Sequence, residues 1–416
     1  MSPKDFLIVA QGFISARRYV FLNWRCRLAI NKELENRVVA ILEAYDDQGL
    51  HRTGTDTDTE SAHWLADHIS SVGQEPTLMG LPHLRVDPIV SELHIGDQVI
   101  EGLPFYDGAF TDEEGVVGTL GWAGDDAAIG VGHYVVNRDW EDSRLAEAQR
   151  EGKYKAMIAI CKQPRPGSVT GLTPTNAENF HAPFGPPVLQ VANGVEELIA
   201  KAIVDGTEVR VIAQAERTQV EAFNVETTIA GKNASLPSLV VITPRSGWCN
   251  CVSERGGGIV CWLEMIRAFA ENQPDRDVWF VATTGHELSH LGLHHFLDYH
   301  DPLIKAAHCW IHLGANSAAV DCPVRLQASD DEFMDLASQA LEGAKVPGVD
   351  FAPMGSRPGG EARNIYDGGG RFISLLGGNK LFHHPDDRWP DAIGLKKIVS
   401  VADGFTKLAV QLASSG

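Results

Sequence analysis

The chain has 416 residues, 44% of them hydrophobic and 22% charged, and its formal net charge is −20. That length and balance suit two or three hydrophobic cores, and the acidity weighs against a nucleic-acid binder, which presents a basic face. No stretch of about 18 uninterrupted apolar residues occurs, so no membrane-spanning helix is expected. The seven cysteines (26, 161, 249, 251, 261, 309 and 322) form no regular framework, and Cys249-Asn250-Cys251 is not a CxxC pair. Free thiols in a reducing, cytoplasmic compartment are the expectation.

Residues 1–30 are apolar but broken by Gln11, Arg17, Arg18, Arg25 and Arg27. As a signal peptide the segment is poor, because an acid precedes a short apolar run. An amphipathic extension, or an over-long start, fits it better. Helical spacing then covers Glu33 to Asp46, and SAHWLADHISSVG reads as a second helix closed by Gly73. From 87 to 218 the texture changes to short β-rich runs punctuated by Gly, Pro and Asp, with one helix in NGVEELIAKAIVDG. This predicts an inserted β-rich domain, 87–218, within a discontinuous domain formed by 31–86 and 219–416.

Beyond Phe223 strands and helices alternate. SLVVITP, DVWFVATT, AAHCWIHLG and RFISLLG read as buried strands, with helices between them and a closing helix from Leu395. Near-continuous apolar strands predict an α/β fold with a mostly parallel sheet covered on both faces. Sites in such sheets form at the carboxyl ends of the strands. Those four strand-end loops deliver Glu254, Glu287, His312 and His383. Two carboxylates and two imidazoles suit a borderline-soft divalent ion such as zinc or manganese. Arg245, Ser246, Arg255, Glu361 and Arg363 stand in or near the same loops and are candidates for holding substrate. Asp387 is expected to orient His383 or to cap a turn.

His286-Glu287-Leu288-Ser289-His290 is also a literal HExxH. In a zincin protease both histidines would ligate metal from one helical face, with the Glu as base. Here an apolar strand and Gly285 run directly into His286, which places Glu287 in the first turn of the following helix. No third ligand stands at the metzincin offset.

The order of these loops resembles the co-catalytic zinc aminopeptidase family, which includes glutamate carboxypeptidase and glutaminyl cyclase. The resemblance covers most of the chain beyond Glu33, and the β-rich insert looks like a protease-associated domain. It implies a three-layer zinc-exopeptidase fold. It also implies that Thr243 and Arg245 replace the family's His-x-Asp, that Glu254 stands for the bridging Asp, and that His286-Glu287 stand for the base and ligand Glu pair. His312 falls on the next acidic ligand, and His383, in FHHPDDRW, on the final His. One metal position is then lost, and the other keeps Glu254, Glu287 and His383.

The expectation is therefore a single-metal hydrolase of a C–N bond, peptidase-, amidohydrolase- or deaminase-like. Its substrate would be small, a metabolite or short peptide bearing a carboxylate, with His286 as general base. Arg245 would grip that carboxylate. Three alternatives stay open: a binding protein that kept the fold and lost the metals, an HExxH zincin-type protease, and a site in which His286, His312 and His383 ligate while Glu287 is the base. Homo-oligomerisation is possible, and no nucleic-acid or membrane partner is expected.

Overall fold

The structure is a computed structural model and describes residues 32–135, 143–162 and 169–414. The expected N-terminal extension lies outside the described residues. Helix α1 spans residues 32–47, and α2 spans Asp56–Ser71. The Thr55 side chain caps α2 by accepting from the Asp58 amide, and the chain turns away through Gly73 at φ 78°.

Two long antiparallel strands follow the helices. β1 (Thr77–Ile95) and β7 (Glu208–Ile229) pair from Thr77↔Glu226 to Ile95↔Val209, with an irregularity between Pro88 and Val90. A proline at such a bulge costs the ladder no donor. Asp87 pairs with Glu216 in mid-ribbon, where the sequence texture changes.

Between the two lie β2 (Gln98–Pro104), β3 (Val116–Trp122), β4 (Ile129–Val135), β5 (Ala156–Lys162) and β6 (Val188–Val191). Helices α3 (Arg144–Glu151) and α4 (Glu196–Asp205) join them, α4 where the sequence predicts it and α3 in addition. The strand order β1-β2-β6-β5-β4-β3-β7, with β1 paired to β7, closes on itself. It encloses a core that includes Leu93, Val131, Ile158, Leu189 and Val211.

The second half of the sheet runs β7-β9-β8-β10-β13-β11-β12. β8 (Leu239–Pro244), β9 (Val278–Thr283), β10 (Cys309–Leu313) and β13 (Phe372–Gly377) are mutually parallel neighbours and correspond to the four apolar runs. β11 (Val324–Ala328) pairs antiparallel to β13, and β12 (Val349–Phe351) edges it. Alternate residues of each strand face opposite layers. Leu239 and Val241 pack with α1, α2, α5 (Val252–Glu271), α8 (Asp331–Gly343) and α10 (Leu395–Ser414). Val240 and Ile242 pack with α6 (Leu291–His300), α7 (Leu303–Ala306) and α9 (Ala362–Asp367). The α/β fold, with helices on both faces of a mostly parallel sheet, is thus as expected.

One local expectation is corrected. The helix after β9 begins at Leu291, not at His286; residues 286–290 form turns, with Ser289 and His290 at φ 58° and 55°. His286 and His290 therefore share no helical face, and the zincin geometry is absent. Among the described residues no helix is long and apolar enough to cross a membrane.

Candidate active site

Glu254 sits in the first turn of α5, at the carboxyl end of the parallel strands. The Asp387 carboxylate caps this helix, accepting the Ser253 amide at 2.9 Å and the Glu254 amide at 3.0 Å. Asp387 thus takes the capping role rather than orienting His383. Burial, the largest cause, raises its pKa to about 7 despite those amide donors. Gly258 lets α5 approach the sheet, since a Cβ there would stand 2.7 Å from the Leu313 carbonyl oxygen, while Gly256 makes room for Leu42 of α1 and Gly257 for Ser317 and Ala318.

Five buried side chains converge at this helix end: Ser246, Glu254, Arg255, Glu287 and His383. Arg255 Nη2 donates to Glu287 Oε1 at 2.6 Å and lies 2.8 Å from Glu254 Oε1. Arg255 Nε donates to the Ser246 carbonyl at 2.6 Å, and the Ser246 hydroxyl donates to Glu287 Oε2 at 2.8 Å. His383, at φ 58°, has Nδ1 2.6 Å from the Pro174 carbonyl. A carbonyl only accepts, so Nδ1 donates to it and Nε2 is left facing the site. That Nε2 faces Glu254 Oε1 at 3.5 Å and has no hydrogen-bond partner. Burial would raise the Glu254 pKa, but Arg255 and His383 outweigh it and hold it at about 2.

His286 stands beside this cluster with Nδ1 3.3 Å from Glu361 Oε1, an oxygen that also accepts from Thr283 at 2.7 Å. Burial and Arg255 together push its pKa well below the usual imidazole value, so the ring is neutral. His290 stacks on it, ring centroids 4.8 Å apart, and bonds Asn364. His312, buried on β10, bonds Ser374 through Nδ1 at 2.8 Å, while its Nε2 has no partner. Burial lowers its pKa to about 4. Gly360 separates the His312 and His286 rings: a Cβ there would touch His312 Cε1 at 3.0 Å and His286 Cε1 at 3.7 Å.

The structure corrects the substrate-binding expectations. Arg245 is wholly buried and points away from the site, its guanidinium bound to Asp58 and to the Phe223 carbonyl. Ser246 and Arg255 are buried and hold Glu287 rather than facing solvent. Arg363 pairs with Glu178 at the rim. Glu361 does reach the site, as the partner of His286. Sequence reasoning missed a cleft that opens beside Glu287 and is lined by Arg52, His83, Arg85, Tyr106 and Trp248. These residues come from the loop between α1 and α2, the ribbon, β2's exit and the loop after β8, and no spacing in the chain links them.

Glu254, Glu287 and His383 are the residues that would hold a divalent ion. Glu254 Oε1 and His383 Nε2, buried and 3.5 Å apart, face each other as a carboxylate and an imidazole nitrogen that a cation could join, in competition with Arg255 on the carboxylate. Glu287 fits through the remaining lone pairs of its two engaged oxygens. Among the described residues no group of three or more His, Cys, Asp or Glu is already gathered as a metal cluster, since Arg255 stands between the two carboxylates.

Residues 252–391, which carry α5 and the Glu254, Glu287, His312 and His383 loops, match the model of peptidase family M28. Several solved structures share the fold over nearly the whole length of both chains. They include BSAP, a zinc aminopeptidase from Bacillus subtilis, at TM-score 0.72, 16% identity and 92% and 95% coverage of the two chains. An aminopeptidase from Aneurinibacillus sp. strain AM-1 aligns at TM-score 0.69 and 17% identity, covering 93% and 94%. A peptidase M28 precursor from Shewanella amazonensis aligns at 0.72 and 14%, covering 93% and 97%. No curated protein sequence matches the chain. The family resemblance drawn from the loops is borne out by the matched segment and the shared fold.

Proposed function

We propose that the protein is a single-metal hydrolase of a C–N bond in a small substrate, peptide or amide, that carries a carboxylate. The observation that carries this reading is the facing pair His383 Nε2 and Glu254 Oε1, both buried and 3.5 Å apart, with His383 Nε2 otherwise without a partner and Arg255 Nη2 at 2.8 Å on the same Glu254 oxygen. Glu254, Glu287 and His383 would hold a divalent ion, which would polarise the scissile group and make its water more acidic.

His286 is the general base. Glu361 and Thr283 hold its Nδ1 side, which leaves Nε2 free to take a proton from water and return it to the leaving nitrogen. Water adds across the bond, so an amide becomes a carboxylate and an amine. Arg52 and Arg85 support the carboxylate preference in place of Arg245. Both guanidiniums bond one carboxylate, Asp87, at 3.1 Å and 2.8 Å, leaving excess positive charge in the cleft beside Glu287. Tyr106 and Trp248 line that cleft and would cover an apolar or aromatic portion of the substrate. Residues 87–218 are proposed to act as an inserted, protease-associated-like domain, because β2 to β6 carry their own core.

Elemental analysis of protein purified without an affinity metal tests the reading, with His383→Ala beside the wild type. About one zinc or manganese per chain, lost in the variant, is expected. No bound metal in the wild type, even after incubation with either ion, overturns it. That result leaves the second reading, a binding protein, which the Arg255 ion pairs across the carboxylates favour.

A further inference from the structure

We infer that Gln190 and Tyr134 are positioning residues for His383. They hold the connection between β5 and β6 against the site, and the Pro174 carbonyl of that connection sets the imidazole. The orientation of the ring stands on geometry alone, and its consequence for ion binding rests on the single-metal reading.

Residues 172–177 lie on the way from β5 to β6 and form neither helix nor strand, yet Thr173, Pro174, Thr175 and Ala177 are buried. A buried irregular segment must find partners for its backbone outside any ladder. Here those partners come by turns from the two halves of the molecule. The Tyr134 hydroxyl, on β4, donates to the Thr173 carbonyl at 2.8 Å. The Pro174 carbonyl accepts from His383 Nδ1 at 2.6 Å. The Thr175 amide donates to Gln190 Oε1, on β6, at 2.9 Å. The Ala177 amide donates to the Glu287 carbonyl at 2.8 Å. Gln190 is fixed in turn, because its Nε2 donates to the Pro104 carbonyl at 3.3 Å. Two buried side chains of the β2–β6 half thus clamp the residues on either side of Pro174. Proline has a locked φ and no amide, so its carbonyl keeps little freedom once its neighbours are held.

A second contact points the same way. Phe382 stacks on the His383 ring with centroids 3.8 Å apart, and it packs into the core that contains Phe105, Tyr134, Met157 and Val188. The face of the imidazole and its Nδ1 are therefore both set from the β2–β6 half. Asp387 is engaged by the Ser253 and Glu254 amides, which leaves the orienting role to the carbonyl. With Nδ1 tied, the ring holds Nε2 toward Glu254. Losing the partner on the far nitrogen of a metal-binding histidine typically weakens metal affinity about 10- to 100-fold.

The test uses the full chain as Gln190→Leu and Tyr134→Phe. Tyr154→Phe is the control, since it removes a hydroxyl of the same half that bonds the Gly124 amide and the Asp125 carbonyl instead. Zinc affinity is read by competition with a chelator. The His383 Nδ1–H resonance is read in protein labelled with 15N-histidine and assigned by its loss in His383→Ala. Gln190→Leu should bind zinc about 10- to 100-fold more weakly and shift or broaden that resonance, while Tyr154→Phe leaves both as in wild type. A Gln190→Leu protein that melts lower but keeps either readout unchanged overturns the inference, as does an equal loss of affinity in Tyr154→Phe. So does a wild type that shows no hydrogen-bonded Nδ1–H. Should Gln190→Leu fail to fold, Tyr134→Phe decides on the same two readouts. A wild type that takes up no zinc sinks the single-metal hydrolase alone. The resonance then decides this inference, a shift in Gln190→Leu supporting it and an unchanged signal overturning it.

Discussion

The guanidinium of Arg245 and the carboxylate of Asp58 meet at 2.9 Å with both side chains sealed from solvent. Arg245 also reaches the Asp58 and Phe223 carbonyls, and Asp58 accepts from Thr284 and from the Gly54 amide. The pair ties α2 to the end of β8 and to the edge of the ribbon. It makes Arg245 a structural residue.

Removing one partner leaves an uncompensated buried charge. Asp58→Ala should therefore lower unfolding free energy by about 3–5 kcal/mol, read from urea titration. A variant as stable as wild type would mean that Arg245 finds another partner.

Gly258 gives a prediction whose sign runs against helix propensity. In an open helix interior Gly→Ala gains about 1 kcal/mol. Here the new methyl would meet the Leu313 carbonyl oxygen at 2.7 Å and the Thr243 side chain. Gly258→Ala should lower stability by about 1–3 kcal/mol, and it should also shift Glu254. A thermal melt and a metal titration check the two parts separately.

Most of the scaffold was legible in the chain, because apolar runs such as LVVIT and WIHL announce buried parallel strands and loops at their ends follow from that geometry. The positions of Glu254, Glu287, His312 and His383 followed as well. What those residues touch did not. The His383 imidazole is oriented by the Pro174 carbonyl, 209 positions away, and Arg245 finds Asp58 across 187. The late start of α6 also escaped, since HELSHLGLHHF carries helical spacing while Gly285 and the positive φ at Ser289 and His290 delay the helix. Charge type was readable from sequence; which charge neutralises which was decided by packing.

His51 carries a pH prediction. It is buried, stacks on Tyr45 at 3.8 Å between ring centroids and sits 3.0 Å from the Asn250 carbonyl. Burial, chiefly, lowers its pKa to about 3. A depressed histidine contributes stability that is complete above its unfolded pKa, about 6.5, and is lost as pH falls toward the folded value. Stability should thus decline from near pH 6.5 downward, with His51 contributing up to about 1.4 kcal/mol per pH unit. His51→Gln should flatten that part of the profile in denaturant titrations at pH 4 to 7. An unchanged slope would assign the acid sensitivity to other groups.

His286→Gln separates base from ligand. Turnover on a cleaved amide should fall about 10²- to 10⁴-fold, with metal content unchanged. Loss of the metal along with activity would make His286 a ligand instead.

Five of the six non-glycine residues at positive φ among the described residues are Cys251, Ser289, His290, Asn316 and His383, all in loops around the site. Each left-handed backbone costs on the order of 1 kcal/mol, held in check by the rigid strands beneath. The local opening free energy of these loops is accordingly lower than that of β8 or β10, and their amides should exchange with solvent sooner. An ion or substrate that settles there would be visible first as slowed exchange at His290, Asn316 and His383, before any change in the global midpoint.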